Sequence, residues 1–187
     1  VTGSCISAPV ISNIGAVQQG GNYNAIVYMK LSPPWDKLAM ATHGQEILEL
    51  FDFDKTSGVL STAITLPIQC NKGGPYGVEF SQDGSMLYVS TDYDHAIYQF
   101  DLNNPSPAAI ISSKTLIAYA STPYYVGAMQ LAPDGRIYIA KVNDGSLGVI
   151  ANPNVKGTSC NYLNQGVVLV NSKKSAFGLP NFVQSFF

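Results

Sequence analysis

The densest set of side chains able to do chemistry is Asp92, Asp94 and His95, in the stretch STDYDHA from Ser90 to Ala96. Two carboxylates in one short loop can approach a hard cation such as calcium. That ion takes ~6–8 oxygens, however, so Asn143, Asp144 or backbone carbonyls would have to supply the rest. General acid–base work needs paired groups with shifted pKa values. The preferred reading of this loop is therefore a solvated turn. No catalytic residue and no metal ligand set is assigned, and calcium is kept as the one alternative cofactor. His43, in the stretch THGQ, sits at a similar loop position; a metal shared with His95 would need a third ligand. Tyrosine is abundant, at 11 of 187 residues. Tyr23, Tyr76, Tyr93, Tyr124 and Tyr125 can form a stacking surface for sugar rings or a peptide, because a phenol ring is rigid and amphipathic. The competing reading packs several of these rings between structural repeats.

The elements that must position these residues repeat. VEFSQDGSMLYVS (Val78–Ser90) matches MQLAPDGRIYIA (Met129–Ala140), and MKLSPPWDKLAMA (Met29–Ala41) is a weaker copy. Each is a strand, a polar turn and a second strand. Asp83-Gly84 and Asp134-Gly135 suit tight hairpins, since Gly accepts positive φ without a Cβ clash. The first copy has Pro34-Trp35-Asp36 at this place, and its turn is expected to differ. Ser32, Ser81 and Ala132 recur at spacings of 49 and 51 residues. A unit of that length holds four antiparallel strands. The middle unit offers Tyr76–Ser81, Met86–Ser90, Ala96–Leu102 and Ile110–Ala118. The first offers Ile26–Leu31, Leu38–Ala41, Ile47–Phe53 and Val59–Leu66. The third offers Val126–Leu131, Ile137–Ala140, Leu147–Ile150 and Gly166–Val170. β-Branched and aromatic residues fill the runs, and Gly, Pro, Asn and Asp fill the gaps.

Four-stranded units at this period imply an all-β chain of propeller blades, over residues 26–66, 76–118 and 126–170. Two flanking strands extend the pattern: residues 9–17 as the outermost strand of a preceding blade and residues 182–187 as the innermost strand of a following one. Lys30, Glu79, Gln130 and Gln184 then share one position on the innermost strands and should line the channel. Blade geometry collects the loops carrying His43, Asp92–His95 and Asn143-Asp144 on one face. The loops between blades, with Tyr23, Asn71, Lys72, Tyr76, Tyr124 and Tyr125, share that face. Three blades are too few for an ordinary ring of ~4–8. Either a larger ring is completed by another polypeptide or the chain closes as an unusual four-bladed one.

Bulk properties narrow the function classes. Charged residues make up 12% and the net charge is −2, so no electrostatic footprint for nucleic acid or an anionic membrane is present. No apolar run reaches the length of a membrane span. Cys5, Cys70 and Cys160 are far apart and lack zinc-finger spacing; one disulfide among them is left open. No G-x-S-x-G, H-E-x-x-H or phosphate-binding glycine loop occurs. The chain opens on Val1 rather than Met, as a processed or partial product does.

The ordered series PYGVEFSQDGSMLYVS, IYQFDL, GAMQLAPDGRIYIA, LGVIANPN, CNY and GLPNFVQSFF resembles the propeller of large Bacteroidetes-type surface proteins. Those are the gliding-motility-associated or type IX secretion substrates. The resemblance is close over residues 76–187 and loose over 28–66. It implies secretion and cell-surface display, and that these are the C-terminal blades of such a propeller. It supplies no catalytic residues. The expected function is a non-enzymatic module that binds a protein or glycan, or serves as a scaffold in a surface complex. The rival is a propeller hydrolase or lactonase with a metal at the channel mouth.

Overall fold

Apolar residues at successive positions put apolar surface on both faces of a strand, which must be covered or lose its transfer energy, and stacked blades meet that demand. The computed structural model describes residues 8–122 and 124–180. Blade 1 comprises β1 (Val27–Leu31), β2 (Lys37–Thr42), β3 (Ile47–Phe53) and β4 (Leu60–Leu66). Blade 2 comprises β5 (Pro75–Phe80), β6 (Met86–Thr91), β7 (Ala96–Asp101) and β8 (Thr115–Tyr119), with a short helix α1 (Pro107–Ser112) before β8. Blade 3 comprises β9 (Val126–Leu131), β10 (Ile137–Lys141), β11 (Ser146–Ile150) and β12 (Tyr162–Val168). Each blade is one antiparallel sheet with its strands in chain order, and the innermost strands β1, β5 and β9 lie side by side. This is a β-propeller segment of three four-stranded blades.

The period-2 alternation divides the core between the two sides of blade 2. Val78, Phe80, Leu87, Val89 and Phe100 face blade 1 and pack with Ala39, Leu48, Leu50 and Leu66. Met86, Tyr88 and Ile97 face blade 3 and pack with Met129, Ile137, Ile139 and Ile150. Every residue of β6 is buried, as expected of the second strand in a blade covered on both faces. Each large apolar side chain so enclosed contributes about 1.5–3 kcal/mol.

A polar seam runs through the boundary of blades 2 and 3. Tyr88 and Gln99 are cross-strand partners, and both are buried. The Gln99 amide donates to the Tyr88 hydroxyl at 2.6 Å and to the Val155 carbonyl at 2.8 Å. Its carbonyl oxygen accepts the Gly157 N–H at 2.7 Å, and Tyr88 donates to the Pro153 carbonyl at 2.9 Å. Every buried polar atom in this seam has a partner.

The hairpin turns between the first two strands share one backbone form. Gly84 and Gly135 sit at φ 73° and 75°, as the Asp-Gly pairs predict. The first turn does not differ in backbone: Trp35 takes the same place at φ 60°, a conformation costing a side-chain-bearing residue roughly 1 kcal/mol. The three N–H groups donate to the carbonyls of Ser32, Ser81 and Ala132, each at 2.9 Å. Ser32 Oγ holds the first turn by accepting the N–H groups of Asp36 and Lys37 and donating to the Asp36 carboxylate.

Three expected elements change. Residues 9–17 are not a strand. They cross blade 1 through side-chain-mediated bonds: Leu60 N–H to Ser12 Oγ at 2.9 Å and Ala16 N–H to Glu49 Oε1 at 2.9 Å. Gly15, at φ 89°, interrupts any strand ladder there. The run Ile110–Ala118 divides: Pro107 opens helix α1 at its first turn, Ile110 is buried in the core shared with blade 1, and only Thr115–Tyr119 is strand. The last strand of blade 3 begins at Tyr162, four residues before Gly166. The expected strand at 182–187, with Gln184, and the thiol of Cys5 lie outside the described residues. Cys70 and Cys160 carry free thiols.

Candidate functional site

On the innermost strands, Lys30, Glu79 and Gln130 meet. The Lys30 ammonium lies 3.0 Å from Glu79 Oε2 and donates to Gln130 Oε1 at 2.6 Å. Glu79 is fully buried and also accepts the N–H groups of Phe80 and Leu131, at 3.0 and 2.9 Å. One cation thus joins three blades, and the carboxylate charge is compensated before any ligand arrives.

The loop face carries a cleft of about 270 Å³, lined by Tyr23, Ile26, His43, Tyr76, Asp92, Tyr93, Tyr125 and Phe177. β2 ends at Thr42, and a tight turn over His43–Gln45 begins as the His43 N–H donates to Ile26 O at 3.0 Å. β6 ends at Thr91, and Asp92 follows. Its backbone is fixed from two sides, donating to Gly74 O at 3.3 Å and accepting from Val126 N–H at 3.1 Å. These bonds turn the Asp92 carboxylate inward, where it is 3% exposed. Oδ1 accepts the Gly74 N–H at 3.0 Å, and Oδ2 lies 2.8 Å from His43 Nε2. In the neutral tautomer whose Nε2–H donates to Asp92, Nδ1 is the acceptor nitrogen. That nitrogen is buried and has no partner. Gly74 permits the pairing: a Cβ there would stand 2.0 Å from the His43 carbonyl oxygen.

Asp92 is therefore no solvated turn residue, contrary to the sequence expectation. Asp94, two residues on, is one: it points the other way and accepts from Asn71 N–H at 2.7 Å. The two carboxylates do not converge on a cation. His95 does not join His43; it takes φ 57° and its carbonyl accepts the Ala120 N–H. Among the described residues no group of three His, Cys, Asp or Glu side chains is placed to hold a metal.

The aromatic rings form a connected wall. Tyr76 lies 5.3 Å from Phe177, which stacks on Tyr125 at 5.6 Å; Tyr93 meets Tyr125 edge-on at 4.6 Å. Tyr23 stands at the rim, 74% exposed. The Tyr76 phenol is pushed up by burial and then by the Asp92 charge, and that of Tyr93 chiefly by the Tyr125 hydroxyl beside it. Tyr76 and Tyr93 therefore stay neutral at physiological pH. Tyr124, expected in the same surface, is exposed and outside the cleft.

Asn143 and Asp144 act at one remove. Their loop exchanges backbone bonds with Ser175, from Asn143 N–H to Ser175 O at 2.8 Å and from Ser175 N–H to Asp144 O at 2.9 Å. The chain then delivers Phe177, whose carbonyl accepts the Ala128 N–H at 2.8 Å. The Asp144 carboxyl itself pairs with buried Lys141 at 3.0 Å. Ile26 and Phe177 are the lining residues that sequence reasoning missed, together with Gly74, which holds Asp92 from behind. The Gly-Gly pair in NKGGPYG is a signal for Gly74, while nothing near Phe177 marks it.

No protein-family model matches this sequence, and neither does any curated protein. Solved structures do resemble it. A candidate 6-phosphogluconolactonase from Bacteroides uniformis aligns with a TM-score of 0.51 and 18% identity, over 75% of this chain and 40% of that one. A protein from Lactobacillus plantarum aligns at 0.50 and 17%, over 81% and 42%. The WD40 repeats of RRP9 align at 0.47 and 12%, over 72% and 34%. The chain thus spans about 40% of the first two structures. At these identities the likeness shows the propeller fold alone.

Proposed function

We propose that this chain is a secreted or cell-surface propeller module that binds a protein or glycan partner and catalyses no reaction. The carrying observation is the cleft, in which five aromatic rings gather over the buried Asp92–His43 pair. Rigid rings with a few fixed polar groups are the composition of a recognition site. No Ser, Thr, Cys or Lys lines the cleft among the described residues, so the acid–imidazole pair has no nucleophile to activate. One imidazole nitrogen is committed to Asp92, and the other is buried away from solvent. A metal at the channel mouth would displace the Lys30 ammonium, which already occupies the cation's place beside Glu79. Secretion and surface display, with the gliding-motility or type IX association, rest on the family resemblance and the low charged fraction of 12%. The remaining blades of the ring come from another stretch of polypeptide, since ~4–8 are usual.

Saturation-transfer NMR on the 187-residue chain, against neutral saccharides and short peptides, tests the binding reading. A bound member should lose its signal in Tyr93→Ala and Tyr125→Ala. Turnover of a sugar lactone that depends on an added divalent cation would overturn the reading. Protease treatment of intact cells that make the protein checks its exposure at the surface.

A further inference from the structure

We infer that the group admitted to this cleft is a methylated ammonium, a trimethylammonium head carried by the ligand. The inference rests on the cleft being the ligand seat and names the chemistry that fits it. The first argument is electrostatic. The lining holds five aromatic rings and one carboxylate, and no Lys or Arg among the described residues. Aromatic ring faces are negative, and the acidic side chain in the lining, Asp92, is paired with His43. The Asp92 field reaches the rings, since it helps hold the Tyr76 and Tyr93 phenols above their ordinary range. Five aromatic rings and a carboxylate, with no Lys or Arg among the described lining residues, favour a cation over an anion.

The second argument is hydrogen-bond accounting. Both Asp92 oxygens are already bonded, to His43 and Gly74. A guanidinium would bring five N–H donors to a cleft whose one carboxylate is already bonded, leaving chiefly phenol oxygens to accept them. A trimethylammonium brings charge without a single donor. The third argument is size. About 270 Å³ lies below the ~300–1,000 Å³ of sites for drug-sized ligands, and suits one small head group rather than an oligosaccharide. Asp92 thus attracts the cation through its field, without a direct hydrogen bond to it.

Isothermal titration of the full chain with choline, with its neutral isostere 3,3-dimethylbutan-1-ol and with N-acetyl-trimethyllysine methylamide tests this. Choline should bind about tenfold or more tighter than the isostere. Tyr93→Ala, at a position 46% exposed and free to change without unfolding the chain, should abolish binding. Asp92→Asn should lose most of the preference for charge. Preference for the lysine derivative over choline would identify a polypeptide side chain as the source, and the reverse a free choline-type compound. Equal binding of choline and its isostere would overturn the cation inference while leaving an apolar ligand seat. If no ammonium binds but a saccharide or peptide does so in a Tyr93-dependent way, the cation inference falls and the seat stands. If nothing binds in either experiment, both readings fall.

Discussion

The two boundaries of blade 2 carry polar groups to opposite ends. Between blades 2 and 3, Tyr88 and Gln99 bond to each other and to Pro153, Val155 and Gly157, so the seam is closed. Between blades 1 and 2, Asp92 and His43 bond to each other and to Gly74, yet His43 Nδ1 is left without a partner and the pair borders a cleft. A closed polar network specifies how blades stack. The other network ends on a buried nitrogen without a partner, beside a cleft, a cost that blade stacking alone does not require. The difference explains why polar burial at one boundary reads as architecture and at the other as function.

The sharpest test of that contrast is Gln99→Leu. It removes three bonds at once and strands the Val155 carbonyl and Gly157 N–H in an apolar seam. The expected loss is about 3 kcal/mol or more, read as a lower midpoint in urea. A loss below about 1 kcal/mol would show that the seam is not a stabilising network.

Asp92→Ala should cost less, about 2 kcal/mol, because water entering the cleft can replace part of what the Gly74 N–H and His43 Nε2 lose. Asp94→Ala, at a partly exposed position bonded only to Asn71, should stay within about 0.5 kcal/mol. Equal effects of the two changes would erase the distinction between the inward and the outward carboxylate.

Alkali should attack the closed seam. Burial pushes the Tyr88 phenol far above its ordinary 10.0, and Tyr162 in blade 3 shifts the same way. Below pH 10 the ionisation of neither group affects stability. As pH rises further, the unfolded chain sheds these protons while the native chain keeps them. Stability therefore falls by about 1.4 kcal/mol per pH unit for each group. Tyr88→Phe should be less stable at neutral pH but lose stability less steeply above pH 10. An unchanged slope would place the alkaline sensitivity elsewhere.

The smallest contrast lies at the hairpin turns. Gly84 faces the Pro34 ring of blade 1, which an added Cβ would approach to 2.9 Å; Gly135 faces the flexible end of Gln82. Gly135→Ala should cost about 1 kcal/mol for the left-handed backbone alone. Gly84→Ala should cost measurably more, because the proline ring cannot swing away. Differential scanning calorimetry of the pair decides between them.

Much of the scaffold was legible from local patterns. Period-2 alternation marked the strands, Asp-Gly pairs marked two of the three turns, and the 49- and 51-residue spacings aligned the blades. Lys30, Glu79 and Gln130 were assigned one position from that alignment, and they do meet. Failures came where a local rule met a tertiary one. Trp35 adopts a glycine's conformation in a turn that Ser32 Oγ ties, as Ser81 Oγ ties the turn at Gly84. Residues 9–17 look like a strand but bond through Ser12 and Glu49 side chains, which no alternation pattern records.

The sequence by itself determined the repeat, the strand faces and the turn chemistry, because each depends on dihedral preferences and side-chain alternation within a few residues. Only the tertiary structure decided which loop atoms meet. Asp92 and Asp94 have the same chemistry two residues apart, yet one is buried against His43 and the other turns to Asn71. What separates them is a set of backbone bonds from Gly74, in the loop entering β5, and from Val126, at the start of β9. Phe177 reaches the cleft through Ser175 and the Asn143-Asp144 loop in the same way. Such pairings span dozens of residues and are fixed by how the blades stack, so no short stretch of sequence carries them.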